Sequence, residues 1–166
     1  MAQEESKRLG GRMLIFMQKA QEDNTPLDYS LAGLELGAAR TLILSKVIAY
    51  NSTLKSLHLC RKGIQDKEGQ DIARLLLNNK TLRKMELEGN CLGMQSARVF
   101  ASALRTNKTL RFLDLESNNL THDGEENLGV EEIIQALASN TTLLSLNLGN
   151  NKLDEHLGRH FVECLT

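Results

Sequence analysis

The feature that most constrains this chain is a leucine spacing that recurs in register. The pattern Leu-x-x-Leu-x-Leu-x-x-Asn-x-Leu occurs in full at Leu110, Leu113, Leu115, Asn118 and Leu120, and again at Leu143, Leu146, Leu148, Asn151 and Leu153. Leu82, Met85, Leu87, Asn90 and Leu92 repeat it with methionine for one leucine. A fourth copy, Leu54, Leu57, Leu59 and Ile64, has Lys62 at the asparagine position. A degenerate fifth, Pro26, Tyr29, Leu31, Leu34 and Leu36, starts on proline and puts Leu34 there. Units therefore start near 26, 54, 82, 110 and 143, at steps of 28 residues with one of 33, so the unit starting at Leu110 carries an insertion. A fixed period of this length describes thin units that bury their apolar faces only against neighbours.

Each unit divides into two patterns. Its first part alternates, as a short strand with one buried face does. Its second part has apolar pairs four apart (Ile72 and Leu76, Phe100 and Leu104, Ile133 and Leu137, Phe161 and Leu165), which share one face of a helix. Each complete helix runs into Asn-x-Thr-Leu or a close variant, at Asn51, Asn79, Asn107 and Asn140. Asparagine accepts the left-handed conformation that ends helices, and is expected here as a stop signal. Residues 7–22 have the same helical spacing through Leu9, Met13, Phe16, Met17 and Ala20, so 1–25 reads as a capping helix or partial repeat and 26–166 as the array. The chain stops at Thr166 inside the last helix, where no polar cap is visible, as in a fragment or an end covered by a partner.

On these motifs the chain resembles the leucine-rich repeat family, in its ribonuclease-inhibitor-like class. Tropomodulin's C-terminal domain, Ran GTPase-activating protein and the NOD-like receptor arrays are similar in repeat type. The resemblance implies an α/β solenoid, a right-handed β-α superhelix with a parallel sheet on its concave side and helices on its convex side. It also implies a structural ladder of buried asparagines, here Asn90, Asn118 and Asn151, which Lys62 and Leu34 interrupt; the first two turns are expected to be looser.

If the leucines of each strand point inward, the alternate residues project from the concave face. They are Ser56, His58 and Cys60; Lys84, Glu86 and Glu88; Phe112, Asp114 and Glu116; Ser145, Asn147 and Gly149. Equivalent positions lie about 4.8 Å apart, so Glu86 neighbours Asp114 and Glu88 neighbours Glu116. Two readings of this acidic cluster stay open. It is a docking site for a protein partner with a basic surface, anchored on Phe112. Or it is a solvated face screened by Lys84 and by Lys55, Arg83 and Arg111 at the strand entrances. The insertion, with His122, Asp123, Glu125 and Glu126, forms an edge loop of the kind that carries recognition or stays idle.

Composition excludes more than it identifies. A net charge of −1, 4% aromatics and no Trp fit neither a basic nucleic-acid binder nor a single-strand stacking platform. Three cysteines, Cys60, Cys91 and Cys164, make an odd, dispersed set, and the N-terminus does not read as a secretory signal, so a cytoplasmic location is expected. Four of the five Asn-x-Ser/Thr triplets (Asn51, Asn79, Asn107 and Asn140, with Asn119 the fifth) recur at one repeat position, which explains them better than glycosylation. No phosphate loop, dinucleotide motif or nucleophile elbow appears, and the edge loop lacks EF-hand spacing. His156, His160 and Cys164 lie four apart on the last helix, but repeat alignment puts the histidines outside and the cysteine near the core. The basic residues Lys7, Arg8, Arg12 and Lys19 suit a cap better than a membrane contact. The expectation is a non-enzymatic protein-interaction scaffold without cofactor or metal. Regulation of a small GTPase and binding of actin filaments are the alternatives the resemblance leaves.

Overall fold

The computed structural model describes residues 11–23, 28–30 and 36–165. Short strands alternate with helices: α1 (Gly11–Gln21), β1 (Asp28–Ser30), α2 (Ala38–Tyr50), β2 (Ser56–His58), α3 (Asp66–Asn78), β3 (Lys84–Glu86), α4 (Met94–Thr106), β4 (Phe112–Asp114), α5 (Leu128–Leu137), β5 (Ser145–Asn147) and α6 (Glu155–Leu165). The strands form one parallel sheet in chain order. Leu57 pairs with Met85, Met85 with Leu113, and Leu113 with Leu146, so the repeat spacing is also the sheet register. The result is a solenoid, with the sheet on one side and the helices stacked on the other.

The lattice leucines face the interior. Leu54, Leu57, Leu59, Leu82, Met85, Leu87, Leu110, Leu113 and Leu115 are all buried, each contributing roughly 1.5–3 kcal/mol of apolar transfer. Helix residues Ile72, Leu76, Phe100, Leu104 and Ile133 meet them from the other side. Small residues let the helices approach: a Cβ on Gly129 would lie 2.7 Å from the Met94 carbonyl, and one on Gly69 would lie 2.4 Å from the Leu92 side chain. Lateral capping joins the helices as well. The Asp66 carboxylate of α3 accepts the backbone N–H groups of Gly93 and Ser96, which satisfies donors at the start of α4 that Gly93 has no side chain to cap.

Two asparagine ladders stitch the turns. In the upper one, Asn90 donates to the Leu59 and Leu87 carbonyls and accepts from the backbone of Lys62 and Ile64. Asn118 and Asn151 do the same one unit on, accepting from the Leu92 and Leu120 N–H groups. Each amide thus serves the turn before its own. The turn at Lys62 is held by Asn90, contrary to the expected loosening there.

The second ladder corrects the helix-stop reading. Asn51, Asn79 and Asn107 have extended backbones (φ −68 to −71°, ψ 126 to 132°), not left-handed ones. Their side chains are buried and do the work. Asn79 accepts from the Thr81 and Leu82 N–H groups and donates to the Ile48 and Asn51 carbonyls. Asn107 and Asn140 repeat this pattern, and Asn51 donates to Ala20 at the end of α1. Asp23 stands one unit below Asn51; hydrogen bonds from the Ser52 hydroxyl and backbone hold its carboxyl below the usual aspartate range.

Helix α1 buries Met13, Phe16, Met17 and Ala20. Leu9, Pro26, Leu31, Leu34 and the basic Lys7 and Arg8 lie outside the described residues, as do the side chains of Arg12, Tyr29, Cys164 and Leu165. Among the described residues no helix is long and apolar enough to cross a membrane.

Candidate interaction face

Strands β2, β3 and β4 each put one side chain inward and two outward. Ser56, His58, Lys84, Glu86 and Asp114 are half-buried on the outer, concave surface, whereas Phe112 is 44% exposed. Ser145 is exposed and Asn147 half-buried at the end of the row. Register places Phe112 between Lys84 and Ser145, and Asp114 between Glu86 and Asn147. The neighbouring carboxylates are therefore real neighbours, but they are not equivalent.

Glu86 is satisfied from within. Its Oε1 lies 2.5 Å from Lys84 Nζ, and its Oε2 meets His58 Nδ1 across the strand pair. Burial works against the charged carboxylate, yet the hydrogen bonds from Lys84 and His58 outweigh it and hold its pKa below the ordinary glutamate value. Glu88 is paired with Arg61 at 2.7 Å, a partner that the alternation of strand residues does not suggest because Arg61 sits in the turn at positive φ. Asp114 and Glu116 are held by neutral groups instead. Asp114 accepts the Glu116 backbone N–H, and Glu116 accepts from the Asn147 and Asn150 amides at 2.7 and 3.1 Å. Among the described residues neither Asp114 nor Glu116 has a cation within salt-bridge distance. The expected acidic cluster thus resolves into two ion-paired glutamates and two carboxylates held by neutral donors.

Burial raises the pKa of the Cys60 thiol on this face, and the Glu86, Glu88 and Asp114 charges add to the effect. A thiol held protonated is a weaker nucleophile, and the neighbouring His58 has its Nδ1 engaged by Glu86.

Comparison with known proteins agrees with the geometry. The family profile described as Leucine Rich Repeat matches residues 109–130. The solved structure of leiomodin-1 actin-binding site 2 superposes with a TM-score of 0.72 over 90% of this chain and 84% of that one, at 21% identity. The tropomodulin C-terminal domain of Caenorhabditis elegans superposes with a TM-score of 0.75 over 92% and 90%, at 16% identity. The chain has a leucine-rich-repeat fold. No curated protein sequence matches it.

The insertion of this leucine-rich-repeat array forms a closed edge loop. Thr121 is buried, and its hydroxyl donates to the Asn151 carbonyl. A 3-10 turn spans His122–Gly124, with Asp123 at φ 60°. Lys152 of the next unit pairs with Asp123, and Asn127 donates to Asp154. His122 and Glu126 lie 4.0 Å apart, and His122, Asp123, Glu125 and Glu126 are all exposed. Of the suggested histidines, His156 is exposed and 3.7 Å from Glu131, and His160 is half-buried. Among the described residues no three His, Cys, Asp or Glu side chains are grouped to hold a metal ion.

Proposed function

We propose that the protein is a non-enzymatic scaffold that binds a protein partner on its concave face. The observation that carries this is the pairing pattern: Asp114 and Glu116 have no ion-pair partner among the described residues and lie beside the half-exposed ring of Phe112, while Glu86 and Glu88 are ion-paired. An aromatic anchor next to carboxylates that no described residue ion-pairs suits a partner presenting an apolar residue flanked by Lys or Arg. The exposed edge loop borders the acidic end and extends the surface.

The test uses neutral, near-isosteric changes. Affinity capture with wild type and with Asp114→Asn/Glu116→Gln as baits should lose at least one protein from the variant, with an unchanged circular dichroism spectrum. Equal capture by both baits refutes the site.

A second reading rests on the likeness to the actin-binding site of leiomodin-1, which extends over most of the chain. Co-sedimentation with actin filaments and a filament-elongation assay test it. Saturable co-sedimentation or slowed elongation supports it, and neither effect at micromolar protein excludes it.

A further inference from the structure

The convex side carries a second surface that the leucine repeat does not require. Helices α3 and α4 are amphipathic, with mostly polar outer faces broken by the exposed Leu77 of α3, whereas Lys46 is the one charged residue among the exposed positions of α2. Its Leu42 and Tyr50 are 39% and 78% exposed, and Ile43 and Val47 are half-buried between them. At the positions of Leu42, Lys46 and Tyr50, α3 has Gln70, Arg74 and Asn78, and α4 has Arg98, Ser102 and Thr106. Ile15 of α1, one unit before Ile43, is 54% exposed and extends the patch. Clefts flank the ridge formed by Lys46 and Tyr50. One, of about 370 Å³, lies between α1 and α2; the other, of about 220 Å³, lies between α2 and α3.

We propose that this face is a second docking site, independent of the concave one, for an amphipathic helix of a partner protein that carries acidic residues beside its apolar stripe. Residues four apart on α2 form a ridge with a groove on each side, the relief into which another helix packs its own ridge. An extended segment fits less well, because the backbone of α2 is bonded within the helix and offers an incoming strand nothing to pair with. Charge sets the partner's chemistry. Lys46 stands in the middle of the patch and has no ion pair among the described residues, whereas nearby Asp71 is already paired with Arg74. The same lysine argues against a second copy of this chain. A two-fold pairing centred on α2 would set Lys46 against Lys46, the like-charge arrangement that an interface avoids.

The probe is a synthetic stapled helix of about four turns, with a leucine stripe flanked by glutamates. A control peptide has lysines in their place, and vesicles of phosphatidylcholine and phosphatidylserine serve as a third ligand. Titrations are followed by amide NMR on the full chain. The acidic helix should shift resonances of α1 and α2 saturably and bind about threefold or more tighter than the basic one, the effect of one exposed ion pair. Lys46→Glu should invert that preference. Leu42→Gln/Tyr50→Asn, which copies the residues α3 already tolerates, should abolish the shifts and leave the dichroism spectrum and unfolding midpoint intact. Absence of shifts, equal affinity for both peptides, shifts on the concave strands, or patch-dependent vesicle binding without peptide binding each overturns the proposal.

Discussion

Replacing Asn79 by alanine tests whether the lower asparagine ladder holds the units together. The Asn79 amide is 1% exposed and makes four hydrogen bonds, two to N–H groups of its own turn and two to carbonyls of the preceding unit. Alanine leaves all four backbone groups without that partner. Each bond contributes about 1 kcal/mol net, and a backbone group left buried and unpaired costs about 1–3 kcal/mol. Allowing some of the groups to recover water, the loss is about 3–4 kcal/mol, a large part of the 5–15 kcal/mol typical of a domain. At about 2–4 °C per kcal/mol for a chain of this size, the midpoint should fall by roughly 6–16 °C. Asn119→Ala is the control: its side chain is exposed and accepts one N–H, from Asp123, so the change should stay within about 0.5 kcal/mol. Urea unfolding followed by circular dichroism reads both variants, and a smaller m-value for Asn79→Ala would show α1 and α2 unfolding apart from the rest. A loss under about 1 kcal/mol for Asn79→Ala, with m unchanged, would refute the ladder's energetic role.

Other perturbations separate packing from charge. Gly129→Ala forces a methyl against the Met94 carbonyl and the Ala97 side chain, and should cost about 1–3 kcal/mol in urea unfolding. Gly158→Ala meets nothing within 4 Å on α6 and should stabilise by up to about 1 kcal/mol. Because the Glu86 pKa is lowered in the folded state, its contribution is fully present above the ordinary glutamate value and is lost as pH falls through the lowered one. Urea midpoints between about pH 7 and pH 3 should therefore fall more steeply for wild type than for Glu86→Gln, and parallel curves would contradict the pairing. Asp66→Ala removes the acceptor shared by Gly93 and Ser96 and should cost about 1 kcal/mol, with faster amide exchange in the first turn of α4.

The leucine period made the strand register and the inward set legible before any coordinates, because one translation places Leu57, Met85, Leu113 and Leu146 side by side. It also located the insertion, since five extra residues fit only where a turn faces solvent. Less legible was the fate of polar atoms, which depends on the neighbouring unit and not on local spacing. Asn51, Asn79 and Asn107 look like helix stops along the chain, yet their amides act across the stack, and the carbonyls they bond are about 30 residues away. The concave charges show the same limit. Alternation puts Glu86, Glu88, Asp114 and Glu116 on one face, but it says nothing about Arg61, Asn147 and Asn150, whose contacts decide which carboxylates are ion-paired and which accept from neutral amides. The convex patch at Leu42 and Tyr50 lies in the helix of the degenerate first unit, where spacing alone does not separate an outer apolar residue from a core one.

Photo-crosslinking from position 112 tests the concave docking claim most directly. Benzoylphenylalanine in place of Phe112 keeps an aromatic ring at the proposed anchor, and the same group at the exposed Ser102 of α4, away from both clefts beside α2, serves as control. The account predicts partner adducts from position 112 whose crosslinked peptide has Lys or Arg beside the modified residue, and their loss when Asp114→Asn/Glu116→Gln is added. Adducts from position 102 with none from position 112, or adducts at 112 that persist in the Asp114→Asn/Glu116→Gln variant, would contradict it.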